Sequence, residues 1–254
     1  MVDVDLISKQ VKRHFRIKGT FEVNPITGEV DVKGNVTFKG LASSEGRFPV
    51  QFGTVSGDFV CHDLGVVSLQ GSPHTVMGNF WCQNSSLESI PRLTSLEGGP
   101  RVVHGGFSCM NNLLTNLVGA PEQVGDWFGC DTNLLTSLQG APEKVGGSFS
   151  CWNNKLTSLE HGPKWVGSDY ACHKNPLTSL SGFPQHVADV VRVSYNKNLP
   201  LLRLLGVTHR RILVDNAPKA VIKILQAYVG QGKPGAIKAA VELVKAGYKG
   251  NARW

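Results

Sequence analysis

The sequence lacks several features that mark whole classes of protein. No apolar run among its 254 residues is long enough to cross a lipid bilayer. The opening stretch, MVDVDLISKQVKRHF, contains neither an apolar core nor the small-residue cleavage site of a secretory signal. We therefore expect a cytoplasmic protein that has no membrane partner and keeps its cysteines reduced.

Motifs that carry catalysis are also missing. The sequence contains no GxSxG, no HExxH and no glycine-rich phosphate loop. Its six cysteines include no CxxC pair, although structural zinc sites usually draw their ligands from such pairs. His62 and His173, each directly after a cysteine, lie five repeats apart and are expected to be too distant to act together. We therefore predict a protein that is not an enzyme and uses no metal or cofactor.

Charge is scarce and unevenly distributed. Charged residues make up 18% of the chain, and the net charge is +7. From residue 203 to the end there are ten Lys and Arg against two Asp and Glu, which places +8 in this tail and −1 in the rest. Any attraction to polyanions is therefore expected in the tail. The candidate contacts are Arg210, Arg211, Lys219, Lys223, Lys238 and Lys245.

What the sequence does contain is a repeat. The cysteines are separated by 21, 27, 21, 21 and 21 residues, at Cys61, Cys82, Cys109, Cys130, Cys151 and Cys172. An aromatic residue lies two positions before every cysteine. Most of the cysteines also have a valine six positions earlier, a proline nine earlier, an asparagine three later and a leucine five later, as at Leu87. The longer gap indicates a six-residue insertion, since LESIPRLTSL nearly duplicates the closing phrase LTSL. A further unit has Val193 in the cysteine position.

The spacing within the repeat predicts its structure. An aromatic residue and a cysteine two positions apart point to the same side of a strand, into a core. The asparagine can bond backbone groups of neighbouring coils, and the cysteines are expected to be buried as small apolar groups. Proline and glycine on the return segment disfavour helix there. One short parallel strand per coil is expected, and the coils must stack to bury their apolar edges.

The stretch FSCWNNKLTSL at 149–159 matches the leucine-rich-repeat pattern LxLxxNxL. The longer phrase LTSLQGAPEKVGGSFSCWNN resembles the short, proline-containing repeats of bacterial effectors, and still more the repeat proteins encoded by bacteriophages. The resemblance covers about 57–200 and implies a β-rich, leucine-rich-repeat-like solenoid. It also implies protein recognition on the concave face, in a phage setting against a host or defence component. It implies no enzymatic activity.

Three regions follow from these patterns. Residues 1–56 are expected to form an N-terminal flank and β cap, with strands within 15–38 and a short helix at 4–13. Residues 57–202 form the solenoid. Residues 203–254 are expected to be a basic cap containing a helical hairpin. Its predicted apolar faces are Val221, Ile224, Leu225 and Val229 in the first helix, and Ile237, Ala240, Val241 and Val244 in the second.

Residues next to each cysteine should point outward onto the concave face. Several are of the types that dominate protein interfaces. The expected partner-binding residues are Trp81, Met110, Trp127, Asp131, Trp152, His173, Arg192 and Tyr195. This predicts a non-enzymatic protein-binding module. Alternatives are that a flanking segment covers these side chains, that the basic helices bind nucleic acid, or that the chain is a virion or assembly component. The sequence leaves the oligomeric state open.

Overall fold

The computed structural model describes residues 2–40, 46–62, 64–84, 91–207 and 209–253. Within them the chain forms a parallel β-solenoid of about eight turns, with little helix on the repeats. Strands precede the repeats and helices follow them. The predicted fold class is therefore confirmed. Leu87 and the first part of the inserted phrase lie outside the described residues.

A helix and a β-hairpin close the first end of the solenoid. Helix α1 (Val4–His14) starts at Asp3, whose carboxylate accepts a hydrogen bond from the backbone N–H of Leu6 at 2.8 Å. Strands β1 (Phe15–Val23) and β2 (Val30–Phe38) pair antiparallel along their whole length. Strand β2 also pairs in parallel with the first coil. The hairpin thus covers an edge that would otherwise be open to other chains.

Each coil contributes two short strands, so two parallel ladders run along the solenoid. In each repeat that contains a cysteine, the strand of the second ladder begins at the aromatic residue two positions before that cysteine, where a strand was predicted. The first contains the valine six residues before the cysteine, where the repeat pattern had not predicted a strand. The first ladder is β3 (Phe52–Val55), β5 (Thr75–Val76), β7 (Val102–Val103), β9 (Gln123–Val124), β11 (Lys144–Val145), β13 (Trp165–Val166) and β15 (His186–Val187). The second is β4 (Phe59–Val60), β6 (Phe80–Trp81), β8 (Phe107–Ser108), β10 (Phe128–Gly129), β12 (Phe149–Ser150), β14 (Tyr170–Ala171), β16 (Val190–Ser194) and β17 (Arg211–Asp215).

Columns of similar side chains fill the interior. From Phe59 to Tyr170, the aromatic rings of successive coils stack with centroids 5.2–5.5 Å apart. The six cysteines are free and buried. The thiol of Cys130, for example, donates to the backbone carbonyl of Ser150 at 3.2 Å. Burial raises the pKa of Cys172 to about 12, so the thiols act as small apolar groups.

The buried asparagines form the predicted ladder. The side-chain amide of Asn133 donates to the carbonyls of Cys109, at 3.0 Å, and Cys130, at 3.1 Å. Its side-chain oxygen accepts from the backbone N–H of Leu114 at 3.1 Å. The Asn133 side chain therefore acts as both donor and acceptor towards the preceding coil, and it also bonds its own coil. The equivalent residues Asn112, Asn154 and Asn175 make the same set of bonds.

Three helices cover the other end. Helices α2 (Leu202–Leu205), α3 (Lys219–Tyr228) and α4 (Gly232–Lys245) pack on one another, and α3 also packs against β17. The chain after α4 returns to the solenoid through Asn251, which is fully buried. Its side-chain amide donates to the carbonyls of Asn196 and Leu199, at 2.9 and 3.0 Å. The helical tail is therefore attached to the last coil.

The predicted apolar face of the second helix is not the face that the helix buries. Helix α4 buries small residues together with one leucine, and it exposes all three of its β-branched residues. A helix backbone can approach its neighbours more closely when the contacting side chains are small. The buried residues are Gly235, Ala236, Ala239 and Leu243, whereas Ile237, Val241 and Val244 are exposed.

The backbone two residues after the cysteine is left-handed, and Thr132 is poorly suited to it. Its φ is 54°, whereas Asn111 and Asn153 hold this position in the adjacent coils with φ of 55° and 56°. A β-branched residue is strained in this conformation, and asparagine tolerates it. We predict that Thr132→Asn raises the free energy of unfolding by about 1 kcal/mol, measured by chemical denaturation. Thr157→Asn, at an exposed threonine with ordinary φ, is the control, and a destabilised Thr132→Asn variant would contradict the assignment.

Candidate binding face on the second ladder

We call the outward side chains directly before and after each cysteine position, together with Trp127 and Tyr195, the second-ladder face. The structure confirms the register that defines it. Phe80 and Cys82 are buried, and Trp81 between them is partly exposed. The aromatic residue and the cysteine are buried in each coil from Phe59 to Cys172, so the residue between them points outward.

Two tryptophans from coils two repeats apart meet on this face. The ring centroids of Trp81 and Trp127 are 4.8 Å apart, at an interplanar angle of 47°. The coil between them has Gly106 at the position equivalent to Trp127. A Cβ on Gly106 would lie 2.1 Å from the Trp127 ring. Glycine therefore leaves the room in which Trp127 crosses the intervening coil to reach Trp81.

Small residues also form the floor beside this pair. Ser108 and Gly129 pair in register with Trp81 along the second ladder, and both are buried. A Cβ on Gly129 would lie 3.3 Å from the Met110 sulfur and 3.8 Å from the Trp127 ring. Met110 and Trp127 thus pack over Gly129. We call Trp81, Trp127 and Met110 the tryptophan cluster. All three are partly exposed.

A second group lies further along the face, around a buried carboxylate. Asp131 is 6% exposed and accepts a short hydrogen bond from the Ser150 hydroxyl. Burial raises the pKa of Asp131 to about 6, although hydrogen bonds from Ser150 and Trp152 act in the opposite direction. The Trp152 ring stacks on His173 with centroids 5.3 Å apart, and the Lys174 ammonium lies 5.0 Å from its centroid. The face therefore changes from apolar to polar along its length.

His173 and Arg192 extend this polar part. His173 is 7% exposed, and its pKa is lowered by burial and then by the positive charge of Arg192. The Arg192 Nε donates to both carboxylate oxygens of Asp215 at 3.1 Å. Arg192 is therefore held by its own chain, although its side chain stays about half exposed. Tyr195 is held as well, because its hydroxyl donates to Asn251 in the tail at 3.2 Å.

The structure thus brings the predicted residues together in two groups. Trp81, Trp127 and Met110 form one, and Asp131, Trp152 and His173 form the other. The predicted basic residues are all exposed but lie on separate elements. Arg210 directly precedes β17 and Arg211 begins it, whereas Lys219 and Lys223 lie on α3 and Lys238 and Lys245 on α4.

One aromatic group was missed because it lies on the first ladder. Trp165 and His186 stack with centroids 5.2 Å apart, and the Lys144 ammonium lies 4.7 Å from the Trp165 centroid. All three come directly before the core valine of their coils. A strand residue next to a core residue points outward, and this rule identified the second-ladder face. It would also have identified these three residues if a strand had been predicted at the valine.

In the part of the chain that the structure describes, no three His, Cys, Asp or Glu side chains cluster so as to hold a metal ion. No helix there is long and apolar enough to span a membrane. Comparisons of this chain with protein-family models, with curated proteins and with solved structures find no match. The geometry of the face is therefore the basis for assigning a function.

Asp131 gives the face a measurable pH dependence. Its pKa in the folded protein, about 6, lies above the ordinary aspartate value of 3.8. The ionised carboxylate therefore disfavours folding, and this cost disappears as pH falls from above 6 to below 3.8. Asparagine can still accept from Ser150 without the charge. We predict that Asp131→Asn is more stable than the wild type at pH 8 by on the order of 1–3 kcal/mol.

The stability difference between the two proteins should shrink as the pH falls towards 4. His173 titrates in both proteins, so comparing them isolates Asp131. Denaturation curves at several pH values test this, with Glu160→Gln at an exposed carboxylate as control. A difference that stays constant with pH, or a less stable Asp131→Asn, would show that the carboxylate is not desolvated.

Proposed function

We propose that this chain is a non-enzymatic module that binds a macromolecular partner, a protein, through the second-ladder face. The observation that carries the proposal is the tryptophan cluster. Solvation alone would favour polar residues at outward positions, yet Trp81, Trp127 and Met110 lie together there. Contiguous apolar area of this kind marks interaction sites.

The way in which the tryptophans are held also favours recognition. Trp127 is fitted over Gly106, and Trp152 is fixed between its neighbours by stacking on His173. Rings that are already ordered lose little conformational entropy when a partner covers them. Trp and Arg are the residue types most enriched among binding hot spots. The polar group around Asp131 would supply hydrogen bonds and hence specificity.

The repeat pattern suggests the setting. We propose that the coils are leucine-rich repeats of the bacteriophage type, on the strength of the resemblance of FSCWNNKLTSL to LxLxxNxL. In that setting the protein would act in the host cytoplasm on a host or defence component. The Asn ladder and the stacked aromatic core support a repeat architecture of this kind.

A second candidate function is nucleic-acid binding through the tail. The charge distribution favours it, because residues 203–254 carry +8 and their lysines are exposed. Binding through phosphate contacts would fall steeply as salt is raised, because counterions are released. This candidate would use different residues from the second-ladder face, so the two can be separated by mutation.

The main proposal is tested by replacing one tryptophan from each group. The partner would first be captured from host cytoplasm with the wild-type protein and identified by mass spectrometry. Trp81→Ala combined with Trp152→Ala should then weaken binding to that purified partner by at least about 3 kcal/mol, roughly a hundredfold. Isothermal titration calorimetry provides the affinities.

Trp165→Ala is the matched control, since Trp165 stacks in the same way but lies on the first ladder. It should leave the affinity unchanged. If the double variant remains folded by circular dichroism and binds as well as the wild type, the partner uses another surface. If the double variant unfolds, these tryptophans are core residues and the face has been wrongly assigned.

A further inference from the structure

Helix α4 carries an apolar stripe on its solvent side. Ile237, Val241 and Val244 are 61%, 50% and 45% exposed. They are spaced four and three residues apart, so they lie on one side of the helix over roughly 10 Å. We call these three residues the α4 stripe.

Helix α4 differs from an ordinary amphipathic helix in which of its apolar residues it exposes. Helix α4 contacts α2 and α3 through its small residues, such as Ala236 and Ala239, which are fully buried. Its three β-branched residues point away from the protein, whereas Leu243 is buried. A surface helix normally turns its larger apolar residues to the core. The α4 stripe is therefore an apolar surface that the rest of the described chain leaves uncovered.

Positive charge surrounds the stripe. Lys233, Lys238 and Lys245 are exposed, and each lies within one helical turn of a stripe residue. The one carboxylate in the helix, Glu242, accepts a hydrogen bond from the Tyr228 hydroxyl on α3 at 2.6 Å. This bond draws Glu242 towards α3. The stripe is therefore bordered mainly by ammonium groups.

We propose that the α4 stripe docks an acidic amphipathic helix of a partner protein. Such a helix would cover the three aliphatic side chains with its apolar face and place Glu or Asp opposite the lysines. The site is separate from the second-ladder face, so the proposal does not rest on the function proposed above.

Other occupants match this surface less well. A second copy of the chain would bring another tail of charge +8 against the first. A nucleic acid would neutralise the lysines but has phosphates, not aliphatic groups, on its outer surface. Helices that lie on bilayers usually insert Trp, Phe or Leu, whereas the α4 stripe contains one isoleucine and two valines.

The test uses the full chain and two synthetic helical peptides of about five turns. Both have leucines along one face. One has glutamates beside them, and its counterpart has lysines at the same positions. Fluorescence anisotropy should show that the acidic peptide binds at least about tenfold more tightly than the basic one. Raising the salt from about 50 to about 500 mM should weaken this binding, because the charges are exposed.

Substitutions within the site should separate its two components. Val241→Ser should weaken binding of the acidic peptide by about tenfold, and Lys238→Glu combined with Lys245→Glu should do the same. Val118→Ser and Lys155→Glu, at an exposed valine and an exposed lysine of the repeats, are the matched controls. Because all these positions are exposed, thermal unfolding should show that each variant keeps its fold.

Several results would overturn the proposal. These are equal binding of the two peptides, no binding of either, or an unchanged affinity in Val241→Ser. Stripe-dependent binding to vesicles of phosphatidylcholine and phosphatidylserine, or to a DNA duplex, in place of the acidic peptide would assign the surface to a bilayer or a nucleic acid. Self-association that Val241→Ser abolishes would assign it to a second copy.

Discussion

The asparagine three residues after each cysteine joins one coil to the next, and the rest of the solenoid depends on it. Most strands in the two ladders contain only two residues, too few to be stable alone. The chain must also turn sharply after each cysteine, which leaves backbone groups in the interior. Asn154 provides hydrogen-bond partners for such groups in its own coil and in the preceding coil. It donates to the carbonyls of Cys130 and Cys151 at 3.1 Å and accepts from the N–H of Leu135 at 3.0 Å.

The need for matching residues applies to the interior of the solenoid and leaves the outward positions free to vary in sequence. Phenylalanine, cysteine, leucine and asparagine recur because each must match the same residue in the coil above and below. The residues between them do not have to match, and they range from Gly129 to Trp81 and Arg192 on one face. The tryptophan cluster depends on that freedom, because Trp127 needs a glycine in the neighbouring coil. A regular repeat can therefore present a varied surface.

The fold could be predicted because its signal is periodic. Spacing alone identified the core positions, the asparagine ladder and the outward register of Trp81 and Trp152. The first ladder escaped prediction because its strands, such as Lys144–Val145, repeat a single core valine and have no pair of core residues two positions apart. The buried face of α4 could not be inferred from hydrophobicity, since close helix packing selected Ala236 over Ile237. The bond from Tyr195 to Asn251 joins residues 56 positions apart and leaves no local pattern.

The stability of an Asn154→Ala variant shows whether the stacking of the coils depends on the asparagine ladder. Alanine would leave buried carbonyl and N–H groups without partners, and each such group costs about 1–3 kcal/mol. We predict a loss of about 3 kcal/mol or more in the free energy of unfolding. Asn153→Gly, at the adjacent exposed asparagine with left-handed backbone, should change it by less than about 1 kcal/mol. Equal effects of the two substitutions, or a small effect of Asn154→Ala, would contradict coil stacking through the asparagine ladder.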